Sequence, residues 1–255
     1  MSKEFLPTIL KQKEQEVAPM SYEELQPLRS TYSLYEYIKS HPQELQLIAE
    51  VKKASPSLGD INLGVDIVEQ ARTYERCGAA MISVLTDEIF FKGHLDYLRE
   101  ISSRVTIPTL NKDFIIDEKQ IVRARNAGAT VILLIVAALS EKRLQELYDF
   151  ATGLGLEVLV ETHNLAELEI AHRIGARIIG VNNRNLVTFE TDINTSLQLS
   201  AHFKDDRVYV SESAIFSKED AELVAPYFHA ILVGTALMQA ENVAEKIKEL
   251  KIDKG

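Results

Sequence analysis

Apolar residues along this chain gather into short runs that do not alternate with polar ones. Val131-Ile132-Leu133-Leu134-Ile135-Val136 is the clearest, and eight such runs fall near 46–51, 80–86, 107–112, 130–136, 156–161, 177–182, 207–212 and 229–234. A strand without alternation is one covered on both faces, as in parallel sheets flanked by helices. Each run is followed by apolar positions at helical spacing. Examples are Leu144, Leu147, Tyr148 and Ala151 after the fourth, and Leu165, Leu168, Ala171 and His172 after the fifth. Between helix and strand a phrase recurs: Cys77-Gly78-Ala79, Ala127-Gly128-Ala129 and Ile174-Gly175-Ala176, with Gly155-Leu156 as a looser copy. Glycine at that point supplies the left-handed backbone that ends a helix. Strands begin about 26 residues apart on average, the length of one strand plus one crossover helix. Eight such units predict an α/β fold, a closed (β/α)8 TIM barrel, for which about 250 residues is typical. A doubly wound open sheet is the competing arrangement. It usually has fewer strands and a glycine-rich first turn, and neither G-x-G-x-x-G nor G-x-x-x-x-G-K-[ST] occurs here.

Residues 1–45 lie outside the repeat. Ile9, Leu10 and Val17, then Leu34, Tyr35 and Ile38, predict two helices, punctuated by Pro19, Pro27 and Pro42. They form an N-terminal helical extension that either caps the barrel or reaches over its mouth. No linker divides the chain, so residues 1–255 read as one barrel domain. Composition narrows the function. With 28 Lys+Arg against 38 Asp+Glu, the net charge of −10 argues against nucleic acid or a membrane surface as partner, since either requires a basic face. A local basic pocket for a small anion is still allowed. One cysteine, Cys77, excludes an internal disulfide and any multi-cysteine metal cluster. His163, His172, His202 and His229 have no ligand spacing, so no metal site is expected. There is neither an apolar run of signal-peptide type nor one of 18 or more residues, and the chain reads as soluble and intracellular.

Chemistry in such a barrel belongs where strands end and βα loops begin. The strand ends read Glu50-Val51-Lys52-Lys53, Asn111-Lys112-Asp113-Phe114, Glu161-Thr162, Asn182-Asn183-Arg184 and Ser211-Glu212-Ser213. At a period of two, Ile48, Glu50 and Lys52 share one face. A single polar residue leaving a strand is ordinarily a solvated loop residue. Two lysines and three glutamates converging on one rim would repel and desolvate one another unless arranged around a substrate. The loops after the seventh and eighth strands often bind phosphate through backbone N–H groups. Here they carry Ser213-Ala214 and Gly234-Thr235, where Gly234 permits close approach and Thr235 can cap the last helix or offer a hydroxyl. Lys52 or Lys53 is placed to assist.

In order along the chain, Glu50-Val51-Lys52-Lys53-Ala54-Ser55-Pro56-Ser57, Asn111-Lys112-Asp113-Phe114, Leu133-Leu134-Ile135-Val136, Val160-Glu161-Thr162-His163, Gly180-Val181-Asn182-Asn183-Arg184-Asn185-Leu186 and Ser211-Glu212-Ser213 together resemble indole-3-glycerol phosphate synthase of tryptophan biosynthesis. The likeness runs from about Phe5 to about residue 248 and includes the helical extension. It departs from the family at Leu58 (usually lysine), Asn111 (usually arginine), Thr130 (usually aspartate) and Ala214 (usually glycine). The resemblance implies a monofunctional, cytoplasmic lyase that needs no cofactor. Its small phosphorylated substrate would be 1-(o-carboxyphenylamino)-1-deoxyribulose 5-phosphate, closed to indole-3-glycerol phosphate with loss of CO2 and water. It also implies association with other tryptophan-pathway enzymes. In that light Lys112 protonates the carbonyl under attack, Glu161 serves dehydration, Lys52 neutralises the substrate carboxylate or phosphate and Glu50 orients Lys52. Asn182 and Ser213 complete the catalytic set. Ser55, Ser57, Phe91, Phe114, Leu133, Arg184, Leu186 and Glu212 would bind substrate, the apolar four forming the anthranilate pocket and Arg184–Glu212 a supporting ion pair. Lys52, Ser213, Ala214, Gly234 and Thr235 would hold phosphate.

Two other classes fit the residues less well. A sugar-phosphate isomerase or aldolase barrel is one; an aldolase would form a Schiff base that borohydride traps. A non-catalytic barrel kept for binding a partner is the other, and it would tolerate alanine at Lys112 or Glu161.

Overall fold

Every apolar run forms a strand, and the strands close on themselves. In the computed structural model, which describes residues 5–55 and 59–255, they are β1 (Gln46–Val51), β2 (Met81–Leu85), β3 (Thr109–Lys112), β4 (Val131–Ile135), β5 (Glu157–Thr162), β6 (Ile178–Asn182), β7 (Val208–Glu212) and β8 (Ala230–Val233). Each pairs in parallel with the next, and β1 pairs with β8 through Gln46↔Ala230 to Ala49↔Val233, closing an eight-stranded barrel. The third run begins two residues later than expected. Pro108 has no N–H to give a ladder, and its carbonyl accepts from Ile82 just before β3 starts. All four glycines of the recurring phrase, Gly78, Gly128, Gly155 and Gly175, have positive φ, as a helix-ending left-handed turn requires.

The crossover helices are α3 (Ile67–Arg76), α5 (Leu95–Ser102), α6 (Glu118–Asn126), α7 (Glu141–Gly153), α8 (Leu165–Arg173), α9 (Asn194–Ser200), α10 (Lys218–Val224) and α12 (Val243–Leu250), with short α4 (Glu88–Phe91) and α11 (Thr235–Met238) in the loops after β2 and β8. Most start on a side-chain cap: Asp66, Asp87, Asp117, Ser140, Asn164, Ser217 and Asn242 each accept from a backbone N–H of the first turn. On α7 the expected face (Leu144, Leu147, Tyr148, Ala151) is buried. On α8 Leu168 and Ala171 are buried, but Leu165 in the first turn is exposed and His172 meets the Tyr209 hydroxyl at 2.9 Å.

Period-two alternation sorts the strand residues into two cores. Outward residues such as Leu47, Ala49, Ile132, Leu134, Val158 and Val160 pack against the helices. Inward residues Ile48, Leu110, Leu133, Leu159, Ile178, Val208, Val210 and Leu232 fill the barrel. The extension does both things that the sequence allows. Helix α2 (Leu34–Ser40) plugs the barrel's N-terminal end, with Leu34 and Ile38 in the interior core. Its first N–H groups are taken by the Glu157 carboxylate, Leu34 N at 2.7 Å and Tyr35 N at 3.0 Å. Helix α1 (Phe5–Val17) crosses the other end. Buried Lys13 ties it there, with Nζ 2.8 Å from Asp87 and 2.9 Å from Asp113. Burial works against the Lys13 charge, but Asp113 and Asp87 outweigh it and hold the ammonium above its usual range. No helix among the described residues is long and apolar enough to cross a membrane.

Candidate active site

Five of the eight inward columns end in a polar residue, while those of β2, β4 and β8 end in Leu85, Ile135 and Gly234. Ile48 is followed two residues on by Glu50, Leu110 by Lys112, Leu159 by Glu161 and Val210 by Glu212; Asn182 follows Gly180 on β6. The pleat therefore delivers all of these side chains to one end of one cavity, as the rim reading expects. The cavity encloses about 960 Å3, including space open to solvent, which suits a ligand of a few rings and a phosphate. Its wall contains Glu50, Lys52, Lys112, Glu161, Asn182 and Glu212, and also Phe91, Phe114, Leu133, Arg184, Leu186, Ser213, Ala214, Gly234 and Thr235. Part of the lining is apolar: Phe91 and Phe114 stand 6.1 Å apart between ring centres, and Leu133 and Leu186 line the same cavity.

Lys112 is the hub. Its Nζ lies 3.0 Å from Glu161 Oε2 and 2.5 Å from Glu212 Oε2, and both carboxylates are almost wholly buried. Burial alone would weaken the lysine's hold on its proton, but Glu212, Glu161 and Glu50 outweigh it and keep the ammonium above its usual range. The two glutamates diverge. Burial raises both. At Glu161 the positive charges of Lys112 and His163 prevail and hold the carboxyl well below the usual range. At Glu212 burial and the neighbouring Glu161 prevail over Lys112, and the group is pushed up to about 7. Glu212 Oε1 is buried with no hydrogen-bond partner among the described residues. Gly180, beside it on β6, makes the room: a Cβ there would overlap Glu212 Oε1.

Lys52 and Glu50 pair as expected, Nζ to Oε1 at 2.9 Å. This pair presses against the loop after β8. A Cβ at Gly234 would overlap Glu50 Oε1 and lie 3.1 Å from Lys52 Nζ, so glycine here makes room for the pair as well as for a ligand. In the loop after β7, Ser213 and Ala214 both have positive φ, 64° and 59°. An alanine methyl is strained in that conformation, which explains why glycine suits position 214. Asn183 steadies the turn by donating to the Ser213 carbonyl at 3.1 Å.

Several expectations change. Glu212 gives its carboxylate to Lys112 instead of Arg184, while Arg184 donates to the Phe189 carbonyl at 2.9 Å; the lysine reaches across the barrel from β3, and the arginine, just past the end of β6, follows its own loop. Lys53 turns outward, its Nζ 3.3 Å from the Tyr97 hydroxyl, because alternation sends it to the opposite face from Lys52. Thr235 opens α11 without a side-chain cap, and the last helix is capped by Asn242. Ser55 is buried in a short antiparallel ribbon (54–55 with 59–60) and is not in the cavity wall. Ser57 and Leu58 lie outside the described residues. Asn111 faces outward, donating to Thr86 Oγ1 at 2.7 Å, and Thr86 donates to Asp113 at 2.6 Å. Thr130 serves the far end of the barrel, accepting from the Thr109 N–H at 3.3 Å.

Sequence reasoning missed two parts of the site. His163, quoted in the family string and weighed as a metal ligand but given no role, sits behind Glu161 with Nε2 3.2 Å from Glu161 Oε1 and Nδ1 3.0 Å from Glu167 Oε2. Its spacing, two residues past one glutamate and four before another, was a usable signal. An extension over the mouth is expected, but not the contact that makes the roof, Phe5 of α1 meeting Phe189 edge-on at 4.5 Å. Lys13, between Ile9 and Val17 on one helix face, was the corresponding signal that α1 docks on charged partners. No cluster of potential metal ligands occurs among the described residues.

Comparison with known proteins agrees with this geometry. The family model described as indole-3-glycerol phosphate synthase matches residues 6–250. Proteins of that name from Streptococcus sanguinis and Streptococcus mutans serotype c are 97% and 76% identical, each over 100% of both chains. Among solved structures, 3-hexulose-6-phosphate synthase from Salmonella typhimurium superposes with a TM-score of 0.63 at 14% identity, covering 81% of this chain and 96% of its own. At that identity only the barrel is shared. The chain belongs to the indole-3-glycerol phosphate synthase family.

Proposed function

We propose that this chain converts 1-(o-carboxyphenylamino)-1-deoxyribulose 5-phosphate to indole-3-glycerol phosphate, releasing CO2 and water by general acid–base catalysis without a cofactor. One observation carries the mechanism: a buried ammonium, Lys112, is held by two carboxylates beside an aromatic flank. The anthranilate ring lies against Phe91, Phe114, Leu133 and Leu186. Lys112 gives its proton to the carbonyl oxygen as the aromatic carbon attacks the carbonyl carbon, a role worth about 10²–10⁴ in rate. Loss of CO2 restores the ring. Glu161, ionised, takes the proton whose removal accompanies loss of the hydroxyl as water. Lys52, oriented by Glu50, neutralises the carboxylate or phosphate, and Asn182 binds the sugar oxygens. Ser213, Ala214, Gly234 and Thr235 cradle the phosphate with their backbone, and Arg184 and Glu212 support the wall. Ser57 is a candidate substrate contact on the sequence resemblance alone.

The whole chain acts as one barrel domain with residues 1–45 as its extension. We place it in the cytoplasm, where association with other enzymes of tryptophan biosynthesis would be useful. The test is incubation of the purified protein with the anilino-deoxyribulose phosphate while indole fluorescence is followed. A steady rise is expected. No rise, together with borohydride trapping of a lysine adduct, would replace this reading with an aldolase.

A further inference from the structure

Lys112 lies nearer Glu212 than Glu161, 2.5 Å against 3.0 Å. Proximity to that cation alone would make Glu212 the more acidic of the two and leave a shared proton on Glu161, the group that must be ionised to accept one. Something has to reverse the order. Glu161 has a second basic neighbour at Oε1, where His163 Nε2 stands at 3.2 Å, an ion-pair distance although that nitrogen completes no hydrogen bond among the described residues; the matching oxygen of Glu212 has no partner of either kind there.

His163 is itself held from behind. Glu167 Oε2 takes both its ring Nδ1, at 3.0 Å, and its backbone N–H, at 2.8 Å. Glu167 Oε1 accepts from Asn164 Nδ2 at 2.7 Å, so this carboxylate is locked in place. The ring is buried, only 11% exposed, at the base of a groove that also presents Arg184, Glu190 and Asp192. We infer that His163 is a positioning residue that decides which of the two carboxylates on Lys112 stays ionised. It keeps Glu161 as the base and leaves the pair's proton to Glu212. Two carboxylate neighbours suit an imidazolium: burial opposes the charge, but Glu161 and Glu167 outweigh it and raise the ring's pKa to about 10. The charged groups facing Glu161 are Lys112 from β3, Glu212 from β7 and His163 from its own strand end, and Glu50 from β1 faces Lys112 and Glu212.

The inference rests on the proposed acid–base roles, so its test has one arm that needs no turnover. In substrate-free protein, 13C-carboxyl NMR should show Glu212 titrating near neutrality and Glu161 silent from pH 5 to 8. In His163→Gln, a neutral replacement, Glu161 should titrate in that window instead. In the kinetic arm, His163→Gln should lose about tenfold or more in kcat at pH 6 and less than about threefold at pH 9, where both carboxylates ionise, with KM nearly unchanged. Glu167→Gln should shift the profile the same way by less. A uniform loss at every pH, or an NMR titration of Glu161 that the variant does not alter, would overturn the inference and leave His163 a packing residue. Failure of the wild-type protein to turn over the substrate would instead overturn the functional reading and leave the NMR arm standing.

Discussion

Gly180→Ala tests whether Glu212 matters to Lys112. The added methyl would overlap Glu212 Oε1 and stand 3.2 Å from its Cδ and 3.4 Å from Leu159 Cδ1. To recover an ordinary C···O contact of about 3.3 Å, the carboxylate must swing by more than about 1 Å. A carboxyl group is the far end of a flexible side chain, so the cost in stability is small, about 1 kcal/mol at the low end of overpacking, or about 2–4 °C in Tm for a chain of this size. The cost to the site is larger. The moving oxygen drags on the 2.5 Å contact to Lys112, and misplacing an acid by 1 Å is worth about 10²-fold. Steady-state fluorescence assays should therefore record kcat down by about two orders of magnitude with a nearly normal melting curve. Gly153→Ala is the control, since nothing lies within 4 Å of its Cβ position and the residue sits in the last turn of α7. It should leave kcat unchanged and keep or raise Tm, by up to about 4 °C, as alanine replaces glycine in a helix. If Gly180→Ala keeps its kcat within about threefold of wild type while stability drops as described, Glu212 does not govern Lys112 and the reasoning fails.

Lys112→Ala should lower kcat by at least about 10²-fold at saturating substrate, and near-normal turnover would hand the acid role to Lys52. Ala214→Gly removes a methyl from left-handed backbone, relieving about 1 kcal/mol of strain against a comparable entropic loss. Thermal melts should be unchanged or higher by up to about 2 °C, and KM should fall if the methyl displaces a phosphate donor; a clear drop in Tm would refute the strain. His229 is held neutral: burial, then Lys254 and Lys39, lowers its pKa to about 4, and Nδ1 accepts from the Tyr209 N–H at 3.1 Å. The unfolded chain binds the proton more readily, so this group's contribution is present above about 6.5 and is lost as pH falls toward 4. Urea titrations of His229→Gln should show less loss of stability than wild type between those values, and equal slopes would count against the assignment.

The barrel was readable because its two periods are written in local sequence. Non-alternating runs such as 130–136 mark strands, glycines such as Gly128 mark helix ends, and counting to eight closes the sheet. The rim was readable for the same reason: Glu50, Lys112, Glu161 and Glu212 extend inward columns that begin with Ile48, Leu110, Leu159 and Val210. Pairing was not. Whether Glu212 meets Arg184 or Lys112 depends on barrel curvature and on the room left by Gly180, which no single strand encodes. Lys13 finds Asp87 and Asp113 only because α1 docks across two loops, and Ala214's backbone conformation is set by its turn rather than by its own preference.

The closure of β1 on β8 also sets a timetable for synthesis. β1 meets β2 soon after it is made, but its other edge pairs with Ala230–Val233, about 180 residues further along. At about 5–20 residues per second a ribosome takes about 10–40 s to supply that partner. Until then the nascent sheet grows as an open, curling ribbon with an unpaired edge at Gln46–Ala49, and α2 has no finished floor to plug. The strand that finally seats the barrel is thus made long after its partner, and its arrival, more than any local step, gates the appearance of a complete mouth.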